Sequence, residues 1–275
     1  MKRYQFGFCS WYTPVPGPYS LDFIGEMGYD GVQISDLGGE TQAYPLTNKK
    51  IQDGFLSAAV RNHMQLQMIN LLELGMSRRM KCDMQSVNGQ IAMESLRKGI
   101  DACTELGVNT AFVPCVFGGS IDNDYDMDQV AGYLKAGCAY AEEHGVTLLL
   151  ESFLGYDRTM KLHEKANGCF QLCYDSLNPY KYGFGDAVKE VEQYGTDMIH
   201  TIHIKDCMDN FQEAEEIGKG CGHFYQVAEV IDKIGYRGWI VNENNYFKGA
   251  AAKHRNPEEI IERDLITLRK AFPNK

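Results

Sequence analysis

Short apolar runs rich in β-branched and aromatic residues recur along the chain at Tyr4–Cys9, Asp30–Ile34, Leu66–Leu71, Thr110–Cys115, Val146–Glu151, Phe170–Asp175, Met198–Lys205 and Trp239–Glu243. Their length and composition predict strands. Longer stretches between them carry apolar residues at helical spacing: Ile91, Leu96, Ile100 and Cys103; then Val188, Val191 and Tyr194; then Val227, Val230, Ile231 and Ile234. Gly107, Gly145, Gly195 and Gly235 each stand just before a new strand, where a helix ends in a left-handed residue. The pattern amounts to eight strand–helix units of about 34 residues in a chain of 275. Such alternation predicts an α/β fold with a parallel sheet. Eight units, this length and the lack of a glycine-rich phosphate turn after the first strand favour a closed (β/α)8 TIM barrel over an open doubly wound sheet. No linker or low-complexity segment interrupts the pattern, so residues 1–275 read as a single barrel domain.

Composition narrows the choice of partners. Hydrophobic residues make up 44% of the chain, enough for a large core and too many for a disordered one. Lys and Arg number 27 against 37 Asp and Glu, a formal charge of −10, and no run of five basic residues offsets it. A nucleic-acid partner is therefore not expected, because phosphate backbones are repelled. The nine cysteines are odd in number and scattered, and none form a CxxC pair. That distribution speaks against a structural zinc site or a disulfide scaffold and for a reducing cytoplasm. Gln5, Gly7 and Ser10 break up the start of the chain, and no apolar run approaches the ~18 residues of a membrane span, so neither a signal peptide nor a membrane partner is expected.

Chemistry concentrates where four apolar strands end. Val146–Glu151 and Phe170–Asp175 each finish on a carboxylate, Ile202–Asp206 carries His203, and Trp239–Glu243 finishes on Glu243. In a barrel of this kind the C-terminal strand ends form the mouth, and strands five to eight are neighbours, so these four side chains converge. A carboxylate following a mostly apolar strand is costly to desolvate without a partner. Taken singly, each residue is equally well a capped loop carboxylate or a satisfied histidine. Together, three carboxylates and an imidazole form a donor set suited to Mn²⁺, Mg²⁺ or Co²⁺. Strand parity selects the histidine: if His203 points inward, Thr201 and Lys205 do too, and His200 points toward the helices.

These residues resemble the xylose isomerase-like barrel superfamily of sugar isomerases and epimerases, which also includes endonuclease IV-type DNA repair enzymes. The likeness rests on Leu148–Glu151 (LLLE), Tyr174–Asn178 (YDSLN), His203–Asp206 (HIKD), the glycine run Gly218–Gly222, Gly235–Gly238 and Asn242–Asn244, in that order. It implies that Glu151, Asp175, His203 and Glu243 hold one divalent ion and that Glu151 and Glu243 double as acid/base catalysts. It also implies a sugar or sugar-phosphate substrate and a homo-oligomer, dimer or tetramer. The chemistry is consistent: an ion chelating a ketose carbonyl and its neighbouring hydroxyl acidifies the C–H between them and stabilises the enediolate. Two carboxylates on opposite faces then exchange the proton, giving epimerisation at C3, or aldose–ketose isomerisation if it returns to the neighbouring carbon. An inosose-type dehydratase or isomerase shares this logic. The phosphodiesterase branch needs further histidines on strands three and four, where this chain has Ile69–Leu72 and Val113–Val116.

The chain departs from the epimerase pattern at two substrate positions: Asn178 stands where many ketose 3-epimerases have a histidine, and Asp157 where they have a second glutamate. Both are carried over as substrate-binding candidates. Lys205 is a third, able to reach substrate oxygens or to pair with Asp206. Gly218–Gly222 with Lys219 offers a cradle for a sugar phosphate or a plain loop. Phe8, Trp11 and Tyr12 offer an apolar wall over a sugar or core packing, and the acidic Glu213–Glu216 stretch reads as a solvated loop.

Overall fold

A computed structural model of the chain describes residues 2–35, 43–209, 214–247 and 256–274. Eight parallel strands run in the order of the chain around a closed barrel: β1 (Tyr4–Cys9), β2 (Gly31–Ser35), β3 (Gln65–Asn70), β4 (Thr110–Cys115), β5 (Thr147–Ser152), β6 (Gln171–Asp175), β7 (Ile199–Ile204) and β8 (Gly238–Asn242). The helices between them are α1 (Tyr19–Glu26), α2 (Lys49–Arg61), α3 (Leu72–Met76), α4 (Val87–Leu106), α5 (Asp124–Glu143), α6 (Gly155–Lys165), α7 (Asn178–Lys181), α8 (Ala187–Met198) and α9 (Phe224–Lys233), and α10 (Pro257–Ala271) follows β8. Every strand lies within two residues of its predicted position. The four glycines expected to end helices all have positive φ, +66° at Gly107, +68° at Gly145, +60° at Gly195 and +76° at Gly235. At Gly107, Gly145 and Gly235 the positive-φ glycine closes the helix and turns the chain toward the next strand, whereas Gly195 (φ +60°, ψ −168°) lies inside α8 and kinks it three residues before its end.

The residues group into two compact units, Met1–Val32, Ala58–Gln65 and Cys173–Lys275 in the first, Gln33–Ser57 and Leu66–Leu172 in the second. In the first unit β8 is flanked by β1 and β7, with Phe8 opposite Asn242 and His203 opposite Val241. Side chains of like parity share a face, and on the inner face Cys9, Trp239 and Val241 pack as one cluster with Trp11 and Tyr12 against it. The Trp239 indole is admitted by missing side chains: a Cβ on Gly31 would meet its ring at 2.6 Å. Phe8, one residue off this parity, is fully buried and packs edge-on against Tyr29, so it is core rather than part of a wall over the mouth. In the second unit β4 pairs with β5 along its length, Pro114 opposite Glu151, and the buried amides of Gln33 and Gln67 bond at 2.8 Å.

Candidate active site

Three of the predicted residues and Lys205 meet in the first unit. Asp175 is the last residue of β6 and is 4% exposed. One of its oxygens, Oδ1, accepts the backbone N–H groups of Leu177 and Asn178, both at 2.8 Å, which fixes the carboxylate and leaves Oδ2 aimed elsewhere. Oδ2 lies 2.6 Å from the Lys205 ammonium. That ammonium is also 3.0 Å from Oε2 of Glu243, the residue just past β8. The same Glu243 oxygen is 3.3 Å from Nδ1 of His203, whose Nε2 is 3.2 Å from the Cys173 thiol. His203 is fully buried, as its inward parity requires, and its ring lies 6.4 Å from that of Trp11. His200 is half-buried and hydrogen-bonds Thr201 at 3.1 Å, and burial depresses its pKa. A further thiol, Cys9, follows the Phe8–Asn242 pair, and its sulfur, a His203 nitrogen and a Glu243 oxygen are all within 4.8 Å of one another.

The electrostatics follow from two buried carboxylates sharing one ammonium. Burial alone raises a carboxyl pKa. At Glu243 that effect is outweighed by the Lys205 ammonium and the His203 ring, which hold the group well below the usual carboxylate range. At Asp175 burial wins: Lys205 offsets it only in part and the neighbouring Glu243 charge adds to it, so the pKa is raised. Lys205 therefore pairs with Asp175 and Glu243.

Asp206 has other donors. Its Oδ1 accepts the amides of Cys207 (2.9 Å) and Gly222 (2.8 Å), and its Oδ2 those of Gly218 (2.9 Å) and Gly220 (3.0 Å). The glycine run thus wraps an internal carboxylate. Gly220 has to be glycine, because a Cβ there would meet Asp206 Oδ1 at 2.3 Å and the Cys207 carbonyl at 2.3 Å. Burial raises the Asp206 pKa and the four amides pull it back. The phosphate cradle weighed from sequence is overturned, since these amides are already engaged and Lys219 pairs with Glu216 at 2.5 Å. Nor is the acidic stretch all solvated. Glu216 is 6% exposed and also pairs with Arg263 at 3.2 Å, and Glu213 lies outside the described residues.

The strand-end segment Asn242–Asn244 is held by a buried web that sequence reading missed. Asn244 Oδ1 accepts the Asp206 backbone N–H at 2.9 Å, Asn244 Nδ2 donates to the Glu215 carbonyl at 2.9 Å, and Asn242 Nδ2 donates to the hydroxyls of Tyr29 (2.9 Å) and Tyr246 (3.0 Å). Tyr246 donates in turn to Asp264, which also accepts the Ile217 amide at 2.9 Å. Burial pushes Asp264 up to about 7, against the pull of its donors. A signal for it existed: Asp264 interrupts the buried stripe Ile260, Ile261, Leu265 and Leu268 of α10, and a charge on an apolar helix face needs partners.

Glu151 belongs to the second unit, where it is 8% exposed one residue beyond the Leu150–Leu172 pairing of β5 with β6, and its charge helps burial push the Cys115 thiol up to about 12. Asn178 is buried at the start of α7. Asp157 is exposed in the first turn of α6, where the helix dipole favours an acid without any ligand.

Comparison with known proteins bears on all of this. A family model described as xylose isomerase-like TIM barrel matches residues 21–271. The chain belongs to that family. Among solved structures it is similar to D-psicose 3-epimerase crystallised in the presence of D-fructose (10% identity, 98% of this chain and 99% of that one, TM-score 0.77). It is likewise similar to a D-allulose 3-epimerase from Methylomonas sp. in complex with D-allulose (15% identity, 99% and 98%, TM-score 0.74) and to a 3-keto-D-glucoside 4-epimerase from E. coli (16% identity, 98% and 100%, TM-score 0.73). At these identities the likeness establishes the fold. No curated protein sequence matches the chain.

Proposed function

We propose that the protein is a divalent-metal-dependent sugar isomerase or epimerase, acting by proton transfer at the carbon next to a ketose carbonyl, with C3 epimerisation as the leading reaction. The observation that carries this reading is the convergence of Asp175 Oδ2 and Glu243 Oε2 on one cation, the Lys205 ammonium, at 2.6 and 3.0 Å. Two buried carboxylates aimed at a positive charge, with His203 against one of them, fit a hard divalent ion such as Mn²⁺, Mg²⁺ or Co²⁺. Asp175, His203 and Glu243 would hold it, with Glu151 as fourth donor because β5 precedes β6 in the barrel order. A bound ion would supply Lewis acidity to the carbonyl and the adjacent hydroxyl.

The chain's own residues supply the rest. Glu243 is ionised beside Lys205 and His203, and with Lys205 moved away its carboxylate regains the basicity to take the substrate proton and return it. Glu151 is its counterpart for the opposite face, and the two roles together invert a centre. Asp175 is fixed by two backbone amides and so positions rather than transfers. Trp11 borders the site, and Asn178 and Lys205 are the substrate contacts of this reading. Asp206 already fills the loop where barrels often hold phosphate, which supports an unphosphorylated sugar. The nine free thiols support a reducing, cytoplasmic setting, and no helix among the described residues is long and apolar enough to cross a membrane.

Incubation with Mn²⁺ and a panel of ketoses in D₂O tests the proposal. Deuterium appearing at C3 or C1 without loss of water is the expected result. A dehydrated product points instead to the dehydratase chemistry available on the same scaffold. Absence of exchange with every ketose, in protein shown to bind Mn²⁺, rules the reading out. A phosphodiesterase reading has no support from β3 and β4, which end on Asn70 and Cys115 and offer no histidine.

A further inference from the structure

Asp175 and Glu243 are carboxyl groups buried beside each other, and the Lys205 ammonium meets an oxygen of each. The oxygens it takes are the ones a metal needs. Asp175 Oδ1 is occupied by the Leu177 and Asn178 amides, so Oδ2 is the oxygen left for a ligand, and Lys205 Nζ lies 2.6 Å from it. On Glu243 the ammonium meets Oε2, the oxygen that also faces His203 Nδ1. An ammonium in contact with these two oxygens competes with a divalent ion for them, because the two positive charges repel at contact distance in a buried site. The Lys205 side chain retains 18% exposure while the Asp175 side chain has 1%, so the cation has a way out that the carboxylate lacks.

From this geometry we infer that Lys205 is a built-in counter-ion, which keeps the carboxylates of the metal-free site aligned and must release both of them before a divalent ion binds. The inference rests on the metal-dependent reading above and goes beyond it. Lys205 weakens metal binding in proportion to how well it stabilises the empty site, so affinity and metal-free stability are traded through one side chain. Lys suits this role better than Arg would, since a compact charge on a flexible stem makes and breaks single contacts, whereas a bidentate guanidinium would hold a carboxylate fast.

The test compares wild type with Lys205→Met, which keeps the apolar stem and removes the charge. Mn²⁺ affinity is measured by calorimetry, and melting temperature with and without Mn²⁺. The expected result is Mn²⁺ binding tighter by about tenfold or more, a lower melting temperature without metal, and a larger rise on adding it. Lys219→Met, whose ammonium pairs with Glu216 instead, serves as the control and changes neither affinity nor the Mn²⁺-induced rise. In the wild-type protein, acylation of Lys205 by an amine-reactive ester, followed by peptide mass spectrometry, should increase on Mn²⁺ addition, and this measurement decides the matter if K205M does not fold. Equal or weaker Mn²⁺ binding by folded K205M, or Lys205 acylation that stays level or falls with Mn²⁺, overturns the inference. Glu243→Gln separates the two levels: if it binds Mn²⁺ as tightly as wild type, or if neither protein binds, the metal reading fails with everything built on it. Binding that depends on Glu243 yet ignores Lys205 removes only the counter-ion.

Discussion

Two sets of buried carboxylates lie in the same half of the barrel, and they are satisfied in opposite ways. Asp206 has four backbone amides at 2.8–3.0 Å, all from the segment Cys207–Gly222 that follows it. Asp175 and Glu243 share one lysine ammonium, with only Asp175 receiving amides of its own. Backbone donors are fixed by the fold and cannot be exchanged for a ligand without unfolding the loop. A side-chain cation can move aside. The contrast separates a carboxylate that builds the structure from a pair that stays available for chemistry, although all three follow apolar strands and look alike in sequence.

The contrast is broken most severely at Glu243. Glu243→Gln keeps the shape and removes the base, so kcat should fall by about 10²–10⁴-fold with the circular dichroism spectrum unchanged; an unaltered kcat would remove Glu243 from the proton-transfer role. Next in size is Asp206→Ala, which leaves four amides without their acceptor and should cost about 3 kcal/mol or more of stability in urea unfolding. The companion variant Asp175→Asn sharpens the point, because it leaves Lys205 and Glu243 as a balanced pair and still offers an oxygen to the Leu177 and Asn178 amides. Its metal-free stability should stay within about 1 kcal/mol of wild type or rise, while ketose turnover is lost. If Asp175→Asn destabilised as much as Asp206→Ala, the distinction between the two sets would collapse. Gly220→Ala drives a methyl into Asp206 and the Cys207 carbonyl, and should cost about 1–3 kcal/mol, read as a lowered melting temperature.

A separate effect depends on pH. Burial raises the Asp264 pKa from the ordinary aspartate value of 3.8 to about 7. The folded state therefore holds the proton more tightly than the unfolded chain. Its stabilising contribution is complete below the unfolded pKa and is lost as pH rises toward about 7. Wild type should thus lose stability relative to Asp264→Asn between roughly pH 4 and 7, with a level difference above that; parallel stability curves for the two proteins would show that Asp264 does not titrate in this window.

Much of this was legible in the residues. The barrel follows from eight recurrences of apolar runs and helical stripes, and from glycines such as Gly107 and Gly235 standing where helices end. The inward parity of His203 and Lys205 follows from the two-residue repeat of β7, given that one of them faces in. The strand-end carboxylates Glu151, Asp175 and Glu243 stand out because a charge after an apolar strand requires compensation. Other features were misread for a physical reason. The glycine run Gly218–Gly222 carries the same free-amide signature whether it will bind an external phosphate or an internal carboxylate. Phe8 and Trp11 are equally aromatic, yet Phe8 lies in β1 and packs on Tyr29, while Trp11 lies in the short 3-10 turn after the strand, near His203.

Periodicity, capping and the placement of charge at strand ends are properties of near neighbours in the chain, and the residue order therefore fixed the architecture and the positions where chemistry is available. Which donor meets which carboxylate is a matter of three-dimensional closure. Asp206 meets Gly222 sixteen residues on, Lys205 meets Glu243 thirty-eight residues on, and Asn244 meets Asp206 across the same gap. These pairings form only when β6, β7 and β8 lie side by side, and they settle what the residue types leave open: whether a buried charge is held permanently by the backbone or provisionally by a side chain that can let go.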